Sequence, residues 1–228
     1  MWSKLFGQNV RRERLLKQCQ PGPLCDFYQQ PFPDKKTRIQ DATFAVLDFE
    51  TTGLDIGNDQ IISIGIIKIE KLGIQLNTSW HQIVKTSGDI PQETAVIHQI
   101  TDDMVAEGIE LHEAMQALLF RLKGNVLIAH HASIELGFLN KICLALYNQE
   151  FFTPTIDTQR LAKRQLLRQH DVIKEGTLRL FNLRKKYGLP AYKAHNALSD
   201  ALATAELFLA LLNDLYPQQN CRLKDLLT

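Results

Sequence analysis

The sequence predicts an α/β fold, a mixed sheet covered by helices. Three observations carry that prediction. An apolar run beginning at Thr43 ends on two acids, Asp48 and Glu50. Two more strand-like runs, residues 60–70 and 74–84, follow with only Leu72-Gly73 between them as a turn. Short apolar runs then alternate with helical patterns to the end of the chain.

The first strand starts at Thr43 and brings its acids to one place. Residues i and i+2 of a strand share a face, so Asp48 and Glu50 project side by side at the end of a buried run. Close carboxylates repel, and a hard divalent cation with oxygen ligands is the simplest way to keep both ionised. The alternative is two solvated acids at a strand end. The second and third strands, joined by a short turn, pair as an antiparallel hairpin.

A short helix is expected over 91–98, and Thr101-Asp102-Asp103 reads as a helix start. Residues 111–122 carry helical apolar spacing and stop at Gly124. A buried strand over 125–129 leads through His130 and His131 into a long helix ending near Tyr147. Thr155-Ile156-Asp157 reads as a fifth strand, with Asp157 as a structural cap before a basic helix over 159–168. A polar loop over 169–176, a helix over 177–187 closed by Gly188, and a last helix over 199–215 complete the chain.

Residues 1–40 read as an appendage to a domain spanning 41–228. A helix over 10–19 precedes Pro21, Pro23, Pro31 and Pro33, which should end regular structure. The expectation is an arm that wraps the domain or docks a partner.

Composition is that of an ordinary globular chain, 45% apolar and 22% charged over 228 residues. The net charge of +1 hides an uneven spread. Residues 1–40 hold eight Lys/Arg against three Asp/Glu, and residues 157–193 hold ten against three. Basic segments of this kind fit a polyanionic partner. The four cysteines show no metal-type spacing and read as reduced thiols of a cytosolic protein. No membrane span and no signal-peptide core are evident, so a soluble cytoplasmic protein is expected.

Three more residues join the first two acids. Glu135 opens the long helix just after a short strand, the place where α/β sites assemble. Asp200 lies in the first turn of the last helix. An acid at a helix N-terminus is also ordinary capping chemistry. His195 precedes Asp200 by five residues, roughly 140° around a helix. It must therefore come from the preceding loop if the two work together.

Asp48-Phe-Glu50-Thr-Thr-Gly53 resembles the first motif of the DnaQ-like (DEDDh) 3′–5′ exonucleases. The stretch from His195 to Asp200 resembles their His-x4-Asp motif, and Val96-Ile-His98-Gln-Ile-Thr101 resembles their His-Gly-Ile-Thr segment, with Gln99 where glycine is usual. The likeness runs in order from about Thr43 to Leu215 and implies a ribonuclease H-like fold with a five-stranded mixed sheet. It also implies two divalent cations, Mg2+ or Mn2+, on Asp48, Glu50, Asp200 and a fourth carboxylate, with His195 as general base. Thr51, Thr52 and His131 would meet the terminal nucleotide.

The second motif departs from the family. His-Asn-Ala-x-Phe-Asp is here His130-His131-Ala132-Ser133-Ile134-Glu135, so the fourth ligand would be Glu135, one methylene longer than aspartate. A zinc reading of His130 and His131 is disfavoured, because adjacent histidines on an extended segment point oppositely.

The expected activity is metal-dependent hydrolysis at 3′ ends of DNA, single-stranded or frayed, releasing nucleoside 5′-monophosphates, with residues 157–193 on the phosphates. The alternatives are a weakened site serving as a nucleic-acid-binding scaffold in replication or repair, and an RNA-trimming enzyme. A proofreading role with a polymerase would need residues 1–40 as the docking segment, since no long tail follows the last helix; otherwise the enzyme stands alone.

Overall fold

The computed structural model describes residues 7–88, 91, 98–192, 195–218 and 220–228. The helix expected over 91–98 falls largely outside these residues. Five strands form one mixed sheet in the order β3-β2-β1-β4-β5. They are β1 (Thr43–Thr51), β2 (Ile61–Glu70), β3 (Gly73–Ile83), β4 (Val126–Ala129) and β5 (Thr155–Asp157). The second and third pair antiparallel as expected, and β1 also pairs antiparallel with β2, while β4 joins β1, and β5 joins β4, in parallel.

Around the sheet lie α1 (Gln8–Gln18), α2 (Pro23–Gln29), α3 (Asp102–Ala106), α4 (Leu111–Leu122), α5 (Ser133–Tyr147), α6 (Thr158–Arg168), α7 (Leu180–Lys186) and α8 (Ala197–Leu215). The central position of β1 explains its sequence. Its Phe44 and Val46 belong to one buried cluster with Phe208 and Leu211 of α8, whereas Ala45 and Leu47 join the opposite cluster with Met115 of α4 and Phe138 of α5. Alternation of side chains produces this split, and it puts Asp48 and Glu50 on the α8 face. The sheet ladder shifts register between Glu50 and Thr51, just where β1 leaves the sheet.

Gly65 fixes how close α8 comes. It pairs with Asp48 across β1 and β2. A Cβ there would lie 2.1 Å from the carbonyl carbon of Ala197, the first residue of α8. Only glycine lets the helix start rest on the sheet beside the first acid.

Three expectations need correcting. Pro23 does not end regular structure but opens α2 at its first turn, where the missing N–H is no loss. Cys19 and Cys25 are not both free thiols: the end of α1 and the start of α2 bring their Cα atoms to 5.5 Å and the sulfurs are bonded. Cys143 and Cys221 are free and buried. The helix expected over 177–187 is shorter, Leu180–Lys186, and ends at Gly188 with φ +63°.

The first forty residues contribute core. Leu15, Leu24, Phe27, Tyr28 and Phe32 are buried in the α4–α5 cluster, and Phe27 stacks on Phe151 at 5.5 Å. The arginines of α1 are engaged: Arg12 donates to the carbonyl of Tyr28, and Arg11 and Arg14 pair with Glu150. No helix among the described residues is long and apolar enough to cross a membrane.

Candidate active site

Carboxylate oxygens of Asp48, Glu50 and Asp200 all lie within 4.8 Å of one another. The first two arrive on the end of β1, and Asp200 arrives in the first turn of α8 because Gly65 admits that helix. Asn196 caps α8 by accepting from the N–H of Ser199 at 3.0 Å, which fixes where the helix begins. Glu135, in the first turn of α5, is also buried, but among the described residues it joins no three-ligand group of that span.

The acids raise one another's proton affinity. Burial pushes the Asp48 carboxyl well above the usual carboxylate range, and the charges of Glu135, Glu50 and Asp200 push it further. Burial lifts Glu135 to about 8, with Asp157 adding to the rise. Burial also lifts Asp200 to about 6, with Glu50 adding to it, while the N–H of His195 opposes the shift. Among the described residues, Glu50 Oε1, Glu135 Oε2 and Asp200 Oδ1 are buried with no hydrogen-bond partner. Buried, unpartnered anionic oxygens are costly. An all-oxygen donor set with free lone pairs fits a hard divalent cation, which would remove that cost.

His195 comes from the loop, as the spacing required. Its φ of +67° turns the chain back so that its N–H donates to Asp200 Oδ2 at 3.0 Å. The exposed ring lies 5.6 Å from the ring of His98 and 6.4 Å from that of Phe181. His98, in the segment that resembles the family's His-Gly-Ile-Thr, adds a contact that sequence spacing does not reveal. Its Nδ1 stands 2.5 Å from Glu50 Oε2. The next residue, Gln99, has φ +56°, which explains why the resembling family carries glycine there.

The loop before His195 has an internal anchor. Arg184 is 2% exposed, donates to the carbonyls of Ala203 and Pro190, and pairs with Glu206 at 2.7 Å. Its guanidinium also lies 4.6 Å over the ring of Tyr192, whose hydroxyl donates to Glu206. Arg164 likewise donates to the carbonyl of Asp225. Arg184 and Arg164 therefore serve the fold, and a charge count could not separate them from the exposed Arg160, Lys163, Arg168 and Lys185.

The remaining site residues fall into place around this group. Asp157 accepts the N–H groups of Gln159, Arg160 and His131, the structural cap that its sequence position indicated. His131 has φ +68° and an exposed side chain. Both ring nitrogens of His130 are engaged, one by Thr158 and one by the carbonyl of Leu178, so it is not available to a metal. The hydroxyl of Thr51 donates to the carbonyl of Gly53, and that of Thr52 donates to Asp59. Both brace the turn after β1.

The sequence pattern of the RNase T exonuclease family matches residues 45–208. The PolC-type DNA polymerase III of Thermotoga maritima is 36% identical over 169 residues, which are 74% of this chain and 12% of that protein. The DNA polymerase III epsilon subunit of Treponema pallidum is 32% identical over 74% of this chain and 76% of its own length. The chain thus spans about an eighth of the PolC-type relatives it matches and three quarters of the epsilon subunit. Among solved structures, exonuclease X in complex with 5′-overhanging duplex DNA aligns with a TM-score of 0.61 at 23% identity, covering 80% of this chain and 98% of that one. The nuclease domain of 3′hExo, a DEDDh family member bound to rAMP, aligns with a TM-score of 0.65 at 17% identity, covering 78% and 94%. These two likenesses establish the ribonuclease H-like fold.

Proposed function

The chain belongs to the RNase T exonuclease family, and we propose that it removes nucleotides from the 3′ ends of DNA, releasing nucleoside 5′-monophosphates. The observation that carries the reading is the convergence of Asp48, Glu50 and Asp200 within 4.8 Å, beside a loop histidine tied to Asp200. Asp48, Glu50, Asp200 and Glu135 would hold two divalent cations, Mg2+ or Mn2+. When bound, such cations activate water and neutralise charge on the attacking and leaving oxygens.

The chain's own residues supply the rest. His195 accepts the proton of the attacking water, and its N–H contact with Asp200 keeps the imidazole at the carboxylate group. The main chain around Thr51 and Thr52 and the exposed His131 contact the terminal nucleotide. Exposed cations of α6 and of the 169–186 region contact the phosphates.

Glu135 keeps the charge and donor oxygen of an aspartate at this position, and its Oε2 is buried without a hydrogen-bond partner among the described residues. That favours catalysis over a scaffold role. Relatives named as polymerase III proteins support DNA, a replicative polymerase as partner, and a cytoplasmic location. Residues 1–40 are the segment we assign to polymerase docking.

The substrate is tested with DNA and RNA oligonucleotides of one sequence, single-stranded and duplex, in Mg2+, with products separated by chromatography. Nucleoside 5′-monophosphates should appear faster from single-stranded DNA. Faster release from RNA would turn the reading to RNA trimming.

A further inference from the structure

A second ligand group overlaps the carboxylates. Glu50, His98 and His195 place a carboxylate oxygen and two ring nitrogens within 4.8 Å of one another. Nδ1 of His98 is buried and its close neighbour is Glu50 Oε2 at 2.5 Å, an ion-pair contact that a cation bridging the two would replace. The ring of His195 faces that of His98 edge-on. A cleft of about 340 Å³ opens over both rings, walled by Ser63, His81, Ile100 and Met104.

The chemistry of this group differs from that of Asp48, Glu50 and Asp200. Mg2+ takes oxygen ligands and surrenders water reluctantly. Imidazole nitrogen selects zinc and its neighbours in the transition series. Two histidines and one glutamate with an open fourth position form a donor set that tetrahedral zinc accepts. Zinc bonds of about 2.0–2.2 Å put tetrahedral ligand atoms roughly 3.4 Å apart, so the His98–Glu50 contact at 2.5 Å would open by about 1 Å on binding. Glu50 belongs to both groups, so occupation of one draws on the other.

We propose that Glu50, His98 and His195 form an inhibitory site for a borderline transition-metal cation, zinc above all. Zinc bound there takes the lone pair with which His195 would accept a proton and holds Glu50 away from Asp48 and Asp200. Exonuclease activity in Mg2+ is then lost at zinc concentrations far below that of Mg2+. The inhibition rests on the exonuclease reading above; the binding does not.

The test is a titration of Zn2+ into chelator-treated protein held in excess Mg2+, without nucleic acid, by calorimetry and by competition with a chromophoric chelator. Co2+ in place of Zn2+ reports tetrahedral coordination through its visible absorption. One site is expected, and His98→Gln and His195→Gln should each weaken it at least about tenfold. His112→Gln and His170→Gln, at exposed histidines elsewhere, should leave it unchanged. His195 is exposed, so its replacement reads the site even where His98→Gln lowers the melting temperature. Equal zinc affinity in wild type and both variants, or no zinc binding in excess Mg2+, overturns the proposal. A normal isotherm in a protein that cleaves no oligonucleotide would sink the exonuclease reading and leave the zinc site standing.

Discussion

Glu135 and Gly65 show how much of the site rests on single residues. Glu135 keeps the charge and donor oxygen of the aspartate usual at its position, and it is buried with one oxygen unpartnered among the described residues. Glu135→Asp should therefore retain metal-dependent cleavage. Glu135→Gln should reduce kcat by roughly 100-fold, the order expected when a group tuning a metal site loses its charge. Steady-state kinetics in Mg2+ decide between them, and an unchanged kcat in Glu135→Gln would confine that residue to capping α5. Gly65→Ala adds a Cβ 2.1 Å from main chain that cannot turn aside. A loss of about 1–3 kcal/mol in denaturant unfolding is expected, together with a larger fall in activity as Asp200 moves off the cluster.

At the scale of elements, the site depends on where three of them end: β1 at its register shift, α5 at its first turn, and α8 at its Asn196 cap. The loop that brings His195 hangs from Arg184. Removing that guanidinium by Arg184→Ala takes the cation from Glu206, which keeps only the Tyr192 hydroxyl, and the donor from two carbonyls. Glu206 retains solvent contact, so the cost should lie near about 2–3 kcal/mol. If thermal and denaturant unfolding put Arg184→Ala within 0.5 kcal/mol of wild type (about the scatter of surface changes), the anchor role is wrong.

What was legible in the sequence follows the same division. Asp48, Glu50, Glu135, Asp200 and His195 each stand at the start or end of a periodic segment, and local pattern alone reveals such positions. The contact of His98 with Glu50, the buried Arg184 and the Cys19–Cys25 bond join residues through tertiary packing. Charge counts and spacing carry no signal for these. Pro23 is ambiguous in sequence for a related reason: a proline can stop one helix or start another, and only its place in the first turn distinguishes the two roles.

For the whole molecule, the carboxylate cluster should govern stability against pH. Asp48, Glu135 and Asp200 all hold protons more tightly in the folded chain than in the unfolded one. Between the ordinary carboxylate range and about 8, the folded state therefore carries more protons, and stability falls as pH rises. Metal-free protein should melt at progressively lower temperature from about pH 5 to pH 8, as each acid ionises beside the others. Saturating Mg2+ or Mn2+ should reverse that slope and stabilise most at high pH. At 100-fold excess over Kd the gain is about 2.7 kcal/mol, or roughly 5–10 °C for a chain of this size. A melting curve in chelator that is flat over this range would contradict the buried, mutually repelling cluster.

The most direct measurement is cleavage of a 5′-labelled single-stranded DNA oligonucleotide in Mg2+, Mn2+ or chelator, with Asp48→Asn beside the wild type. The account predicts a ladder shortening from the 3′ end that requires the cation and vanishes in Asp48→Asn. A ladder that persists in chelator, or that Asp48→Asn produces at the wild-type rate, would contradict it.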